Sequence, residues 1–323
     1  MVELACMIMP EGPVGAVVAA AQEAERLGCR RVWIPDEGLA ARECYVTLAA
    51  VAAGTKRIEL GTGITNAYTR HPGVTAAAIA TLDELSDGRA SLGIGAGGGL
   101  TLSPMAIERV SPLRAIRELT ETSRALWAGE QVEHDGVAGR FAQARLGYGR
   151  ADIPIWIAGR GPKVMALGGE VADGFILSYL HKELIGHHVE AITAAAIKHG
   201  RPRPRLCYMT ALVTTDEAFE ATRRGLTFRL VDSPAEVKER IGMSPDDTEK
   251  LRAAIADGGL SAAAQYVRPE WVSQFAIVGT VDECRTELHS LMEQNQLDEF
   301  QVSVTDPSSA DTLALAVDVA TTA

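Results

Sequence analysis

The chain has 323 residues, 47% of them apolar and only 5% aromatic, and its 31 basic against 42 acidic side chains give a net charge of −11. That acidity repels nucleic acid and anionic membrane at long range, so the expected partner is a small molecule, any anionic part of which must be held by local charge and backbone N–H groups. Five scattered cysteines (Cys6, Cys29, Cys44, Cys207, Cys284) without a C-x-x-C pair exclude a zinc-finger pattern, and Glu3 and Pro10 spoil a signal-peptide pattern, so the expectation is a cytoplasmic protein without a metal site.

In chain order, an apolar run at 4–9 reads as the first strand. A helical pattern then closes on Leu27-Gly28 ahead of Arg31-Val-Trp-Ile-Pro35, and the same punctuation recurs. Gly54 precedes Ile58-Glu-Leu-Gly61, Asp87-Gly88 precedes Ala90-Ser-Leu-Gly-Ile94, and Asp173-Gly174 precedes Phe175-Ile-Leu-Ser178. Glycine just past a helix, followed at once by a buried strand, is half of a βα repeat. With 154–158, 206–213 and 300–304 there are eight strands, near-continuous in their apolar character as parallel strands covered by helices are. Eight such units predict a single α/β domain over 1–323, a (β/α)8 TIM barrel. Two segments break the repeat. Residues 129–150, with His134-Asp135-Gly136 as a turn, read as a hairpin before strand five, and residues 215–275 as a helical insertion between strands seven and eight, placed to form a lid.

In a barrel, chemistry collects where strands end. Strand two ends in Asp36-Glu37, two carboxylates that can cap a helix or face a pocket. Strand three ends Gly61-Thr-Gly63-Ile64-Thr65-Asn66, and strand four in Gly93-Ile-Gly95-Ala96-Gly97-Gly98. Bare backbone at two neighbouring exits predicts close approach of a flat or anionic ligand. Gly93 to Gly98 also fits G-x-G-x-x-G, but no helix opens there and the acid at the right distance, Glu118, lies within the next helix, which excludes a dinucleotide fingerprint. Between them, Arg70-His71-Pro72 opens a helix, His71 reading as a structural hydrogen-bonder and Arg70 as a rim or ligand contact. Strand five ends Ala158-Gly159-Arg160-Gly161-Pro162-Lys163 and runs straight into a helix. Exposed N–H groups at a helix start, flanked by Arg and Lys, make a phosphate cradle. Tyr179 and His181 after strand six, and Asp306 after strand eight, read as structural. A nucleophile elbow, a zinc-protease motif and a Walker loop are all missing.

These exits together resemble the luciferase-like (bacterial luciferase superfamily) flavin and deazaflavin oxidoreductases, above all the branch of coenzyme F420-dependent methylenetetrahydromethanopterin reductases. The resemblance runs through Trp33-Ile-Pro-Asp36, Gly61 to Gly97, Pro154 to Lys163, Gly169 to Gly174 and Phe275 to Thr280. It implies a non-prolyl cis peptide at Gly63-Ile64 as the backstop of a bound ring, with Asp36, Thr65 and Asn66 on the ring's polar edge. Gly95, Ala96 and Gly97 would lie against its plane, and Ala158 to Lys163 would hold the cofactor phosphate. Three positions depart from the branch: Met7 stands where it has a glutamate, Glu37 where it has a histidine, and Gly98 where it has an aspartate.

The cofactor frame is kept and the substrate frame altered, which places Met7, Gly98 and Tyr179 in the substrate pocket. The expected function is hydride transfer between coenzyme F420 and a small organic substrate with a C=C or C=N bond, other than methylenetetrahydromethanopterin. Asp36 or Glu37 is the candidate catalytic proton donor. An FMN-dependent monooxygenase and a non-catalytic cofactor-binding protein are the alternatives, and a homodimer is expected by analogy with the family.

Overall fold

In a computed structural model, which describes residues 2–321, eight parallel strands close into a barrel. They are β1 (Glu3–Ile8), β2 (Arg31–Ile34), β3 (Glu59–Thr62), β4 (Ala90–Gly95), β5 (Ile155–Ala158), β6 (Gly174–Ser178), β7 (Arg205–Met209) and β8 (Glu299–Val304). Each pairs in parallel with the next, and β8 pairs with β1 from Glu3↔Glu299 to Ile8↔Val304. The helices that return the chain are α1 (Val14–Arg26), α2 (Cys44–Gly54), α3 (Pro72–Leu85), α4 (Pro112–Trp127), α5 (Pro162–Val171), α6 (Ile185–Lys198), α7 (Val281–Gln294) and α8 (Asp311–Ala320).

Alternation along the strands sorts side chains into two cores. Leu4, Cys6 and Ile8 of β1, Val32 and Ile34 of β2, and Ile155 and Ile157 of β5 face outward and pack under the helices. Ala5, Trp33, Trp156, Ile176, Cys207 and Met209 face inward and fill the barrel, with Trp33 and Trp156 edge to face at 5.5 Å. Below the tryptophans the N-terminal end is closed by charge. Arg31, buried, donates to both oxygens of fully buried Glu299 at 2.6 and 2.7 Å and also bonds Glu59, while Arg205 reaches Glu299 at 3.2 Å and its guanidinium also pairs with Glu3. Arg31 lies 4.4 Å from the Trp156 ring centre, so the plug and the tryptophan layer form one stack.

The four glycines read as helix stops divide into two pairs. Gly28 and Gly88 are left-handed (φ 85° and 80°) just past α1 and α3. Gly54 instead remains inside α2, where a Cβ would meet Val18 of α1 at 2.6 Å, and Gly174 opens β6, where a Cβ would meet the Trp156 ring at 2.2 Å. These two are glycine for want of space, a tertiary cause that a local pattern does not carry. The predicted seventh strand also splits: after β7, Leu212–Val213 forms a separate strand that pairs with Ile277–Val278. That pairing joins the two ends of the helical insertion, whose members are Asp216–Val231, Ala235–Arg240, Pro245–Ala263 and Pro269–Phe275. The hairpin before β5 is Val132–Asp135 against Arg140–Ala144, so His134 and Asp135 lie in its first strand and the turn follows them.

Candidate active site at the C-terminal mouth of the barrel

Small side chains dominate the upper interior of the barrel. Gly63, Gly95, Ala158, Ser178 and Ser303 stand at the C-terminal ends of the strands, as do partly buried Met7 and Ile64. The chain kinks after β3 at a cis peptide between Gly63 and Ile64, at the position implied by the family resemblance, and Thr65–Asn66 then continues parallel to β4. Gly63 N–H donates to the Ile34 carbonyl at 2.8 Å, and Asp36 N–H donates to the Ile64 carbonyl at 3.3 Å, which ties the kink to the β2 exit. Ile64 lies across the next exit: a Cβ on Gly95 would stand 1.9 Å from its Cδ1. Gly93 likewise leaves room for the Thr62 carbonyl, 2.1 Å from where its Cβ would be. The glycines at the end of β4 therefore first serve to seat the neighbouring strand.

Asp36 accepts from Thr65 Oγ1 at 2.7 Å, and Tyr45 Oη donates to the same hydroxyl at 3.3 Å. Asn66 Oδ1 accepts from the N–H groups of Tyr68 and Thr69 at 2.9 and 3.0 Å. Both Thr65 and Asn66 are buried, and their side-chain oxygens hold the rim in shape. Arg70 pairs with Glu43 at 2.6 Å and stacks on Tyr45, so it too belongs to the rim. His71 accepts from Gly73 N–H at 3.1 Å and packs edge to face on Phe141, a structural role. Glu118, the acid of the rejected dinucleotide motif, is taken up by Arg114 and by the Ala138 N–H.

Glu37 lies beyond Asp36 and accepts from Thr101 Oγ1 at 3.2 Å. Burial pushes its carboxyl above the usual glutamate value; Thr101 opposes the shift and the charge of Asp36 adds to it. Gly97 is left-handed (φ 75°), and its carbonyl accepts from Arg109 at 3.0 Å. Gly98 is exposed, the nearest atom to its missing Cβ being Thr101 Oγ1 at 3.9 Å, while Ala96 is half-buried.

The β5 exit presents an open helix start. Gly161 caps α5 with no side-chain bond, Pro162 takes the first helical position, and Lys163 is exposed beside it. A Cβ on Gly161 would meet nothing within 4 Å, whereas one on Gly159 would strike Val164 at 2.3 Å. The unpaired first-turn N–H groups and the positive end of the helix face that space. Arg160 Nη1 donates to the Arg229 carbonyl at 3.0 Å. Burial, with the charge of Arg229 behind it, pushes the Arg160 guanidinium down to about 10.

Arg229, on helix Asp216–Val231, was not foreseen from the sequence. Its guanidinium stacks 4.1 Å from the ring centre of Tyr179, a buried residue just past β6. Nothing in the sequence around Arg229 marks it, and the fold brings it to the mouth. Thr101, on the short helix Gly99–Leu102, was missed for the same reason. Among the described residues no group of three or more His, Cys, Asp and Glu side chains could hold a metal ion, and no helix is long and apolar enough to cross a membrane.

A (β/α)8 barrel with a kinked third strand and an uncapped helix after the fifth sets its candidate site at the C-terminal mouth. The luciferase-like monooxygenase family model matches residues 1–298, and the chain belongs to that family. It is 34% identical over 291 residues to the 5,10-methylenetetrahydromethanopterin reductase of Methanolobus tindarius, covering 88% of this chain and 89% of that protein. It is 32% identical over 225 residues to the F420-dependent glucose-6-phosphate dehydrogenase of Beutenbergia cavernae, covering 64% of each. The solved structure of the coenzyme F420-dependent tetrahydromethanopterin reductase from Methanopyrus kandleri superposes with a TM-score of 0.84 at 28% identity, covering 98% of this chain and 96% of that one.

Proposed function

We propose that this chain is a coenzyme F420-dependent oxidoreductase that passes a hydride between the deazaflavin and a small organic substrate bearing a C=C or C=N bond, other than methylenetetrahydromethanopterin. The observation that carries the cofactor assignment is the open cradle at α5: bare Gly161, uncapped N–H groups and the flanking Arg160 and Lys163, in a chain similar over most of its length to F420-dependent enzymes. When bound, the deazaflavin supplies a ring carbon that accepts or donates the hydride. Gly159 to Lys163 would hold its phosphate; the Gly63–Ile64 kink, Asp36, Thr65, Asn66 and the backbone of Gly95 to Gly97 would frame its ring.

The chain's own residues do the positioning. The hydrogen bonds from Thr65 to Asp36 and from Asp36 N–H to Ile64 fix the wall against which reactants are aligned, and alignment is what this chemistry asks of a protein. Glu37, its carboxyl raised by burial, can hold a proton on an oxygen already oriented by Thr101 and is the candidate donor where the substrate needs one. Met7 and Gly98 bring no charge to the substrate side, which supports a substrate unlike the pterin of the reductases.

The test is to titrate the protein with F420 and follow quenching of the cofactor's fluorescence. Oxidation of the reduced cofactor is then assayed with methylenetetrahydromethanopterin and with a panel of small enones and imines. Failure to bind F420, or tight binding of FMN with oxygen consumption instead, would sink the cofactor assignment. Turnover of methylenetetrahydromethanopterin faster than any panel member would sink the substrate assignment alone.

A further inference from the structure

Two arginines meet at the mouth of an acidic protein, and neither forms an ion pair with a carboxylate among the described residues. Arg160 spends Nη1 on the Arg229 carbonyl. Arg229 gives Nη1 to the Gly225 carbonyl, and its flat face lies over Tyr179 and, 4.5 Å away, over Phe228. Its Nε and Nη2 make no hydrogen bond among the described residues. The carboxylates nearest in charge, Glu37 for Arg229 and Asp232 for Arg160, stay beyond ion-pairing distance. Two half-buried guanidiniums that repel each other and lack a counter-charge are costly in the free protein. Stacking on an aromatic ring removes a face from water while leaving the edge donors free, a geometry suited to forked recognition of an oxyanion.

Arg229 is also fixed in place. Its helix buries Thr222, Leu226 and Leu230 beneath it, Ser233 Oγ donates to its carbonyl at 2.8 Å, and the paired strands Leu212–Val213 and Ile277–Val278 hold the base of the insertion. From there its guanidinium lies on Tyr179, just past the β6 exit, while the cradle at Gly161 belongs to β5. The two arginines thus lie at neighbouring strand exits.

Resting on the F420 reading, we propose that Arg229 recognises an anionic group, a carboxylate or phosphate, on the small-molecule substrate, separately from the cofactor phosphate assigned to Arg160 and Gly161. The substrate is then an anionic unsaturated compound, drawn into a net-negative protein by a local cationic pair.

The test uses holoenzyme saturated with F420 and inorganic phosphate as the probe, read by the shift in thermal midpoint, for the native protein and for Arg229→Met, Arg229→Lys and Arg160→Met. The expected result is that Arg229→Met weakens phosphate binding about tenfold or more while its F420 affinity stays within about twofold of native. Arg229→Lys should recover part of the binding, showing that the fold is intact. Arg160→Met should lose F420 affinity instead. Phosphate that fails to bind native holoenzyme, or binds Arg229→Met equally well, would overturn the proposal. So would loss of F420 affinity in Arg229→Met, since the anion would then be the cofactor's own. If native protein binds no F420, the cofactor reading falls by itself, and the same phosphate titration on the cofactor-free proteins still decides the role of Arg229.

Discussion

At the N-terminal end of the barrel Arg31 reaches Glu299 at 2.6 and 2.7 Å and Glu59 besides, whereas at the C-terminal end Arg160 and Arg229 reach, among the described residues, only carbonyl oxygens and aromatic rings. The same residue type, buried at one end of the barrel and half-buried at the other, has its counter-ion built in at the first and lacks one among the described residues at the second. A charge balanced within the fold is accounted for by the structure, and a charge left unbalanced where strands end is the one the proposed anion would answer. The contrast extends to glycine. Gly61, Gly93 and Gly95 are hemmed in by neighbouring strands, while Gly98 and Gly161 border open space.

The largest effect should come from unbalancing the closed end. Glu299→Ala leaves buried Arg31 with Glu59 as its one carboxylate and removes half of the Arg205 pairing, and removing one partner of a buried pair costs about 3–5 kcal/mol. Denaturant unfolding of the cofactor-free protein measures this directly. A loss below about 1 kcal/mol would mean that water already neutralises the plug, and the distinction between the two ends would fail.

Next in size is a pair of glycine substitutions that asks whether hemmed-in and open glycines really differ. Gly95→Ala places a methyl on top of Ile64 Cδ1 and should cost about 1–3 kcal/mol as the kink shifts to admit it. Gly161→Ala meets nothing, has an ordinary extended backbone, and should cost under about 1 kcal/mol. Its effect should appear instead as weaker F420 binding, because the added methyl occupies the cradle. Equal losses of stability in the two variants would show that both glycines serve packing alone.

The barrel was legible because its signals are local and repeated. Every predicted strand from 4–9 to 300–304 lies on an observed one, since a buried parallel strand writes an unbroken apolar run into the chain. The insertion at 215–275 was legible for the opposite reason, the sudden loss of that rhythm. The strand-exit motifs also pointed to the mouth, because a barrel sends its strand ends there whatever their chemistry. The purpose of each glycine was not legible: Gly95 and Gly174 are explained only by Ile64 and Trp156, which lie 31 and 18 positions earlier in the chain. Arg229 escaped for the same cause. Nothing within its own helix distinguishes it from a solvated arginine, and only the return of the insertion over the barrel brings it to Tyr179.

The smallest expected effect probes the balance of forces at Glu37. Burial is the first cause of its raised carboxyl, so the folded protein binds that proton more tightly than the unfolded chain does. The resulting stabilisation is complete below the ordinary glutamate value and is lost as pH rises through the raised folded value. Glu37→Gln keeps an acceptor for Thr101 but carries no titrating proton, so its thermal midpoint should gain on the native protein as pH climbs from acid to neutral. At neutral pH the gain should be worth less than about 1 kcal/mol, a shift of a few degrees at most. A gap that closes instead over the same window would mean that the carboxylate is held ionised by the Arg229 charge. The open end would then have an internal counter-ion after all, and the difference in kind between the two ends would become one of distance.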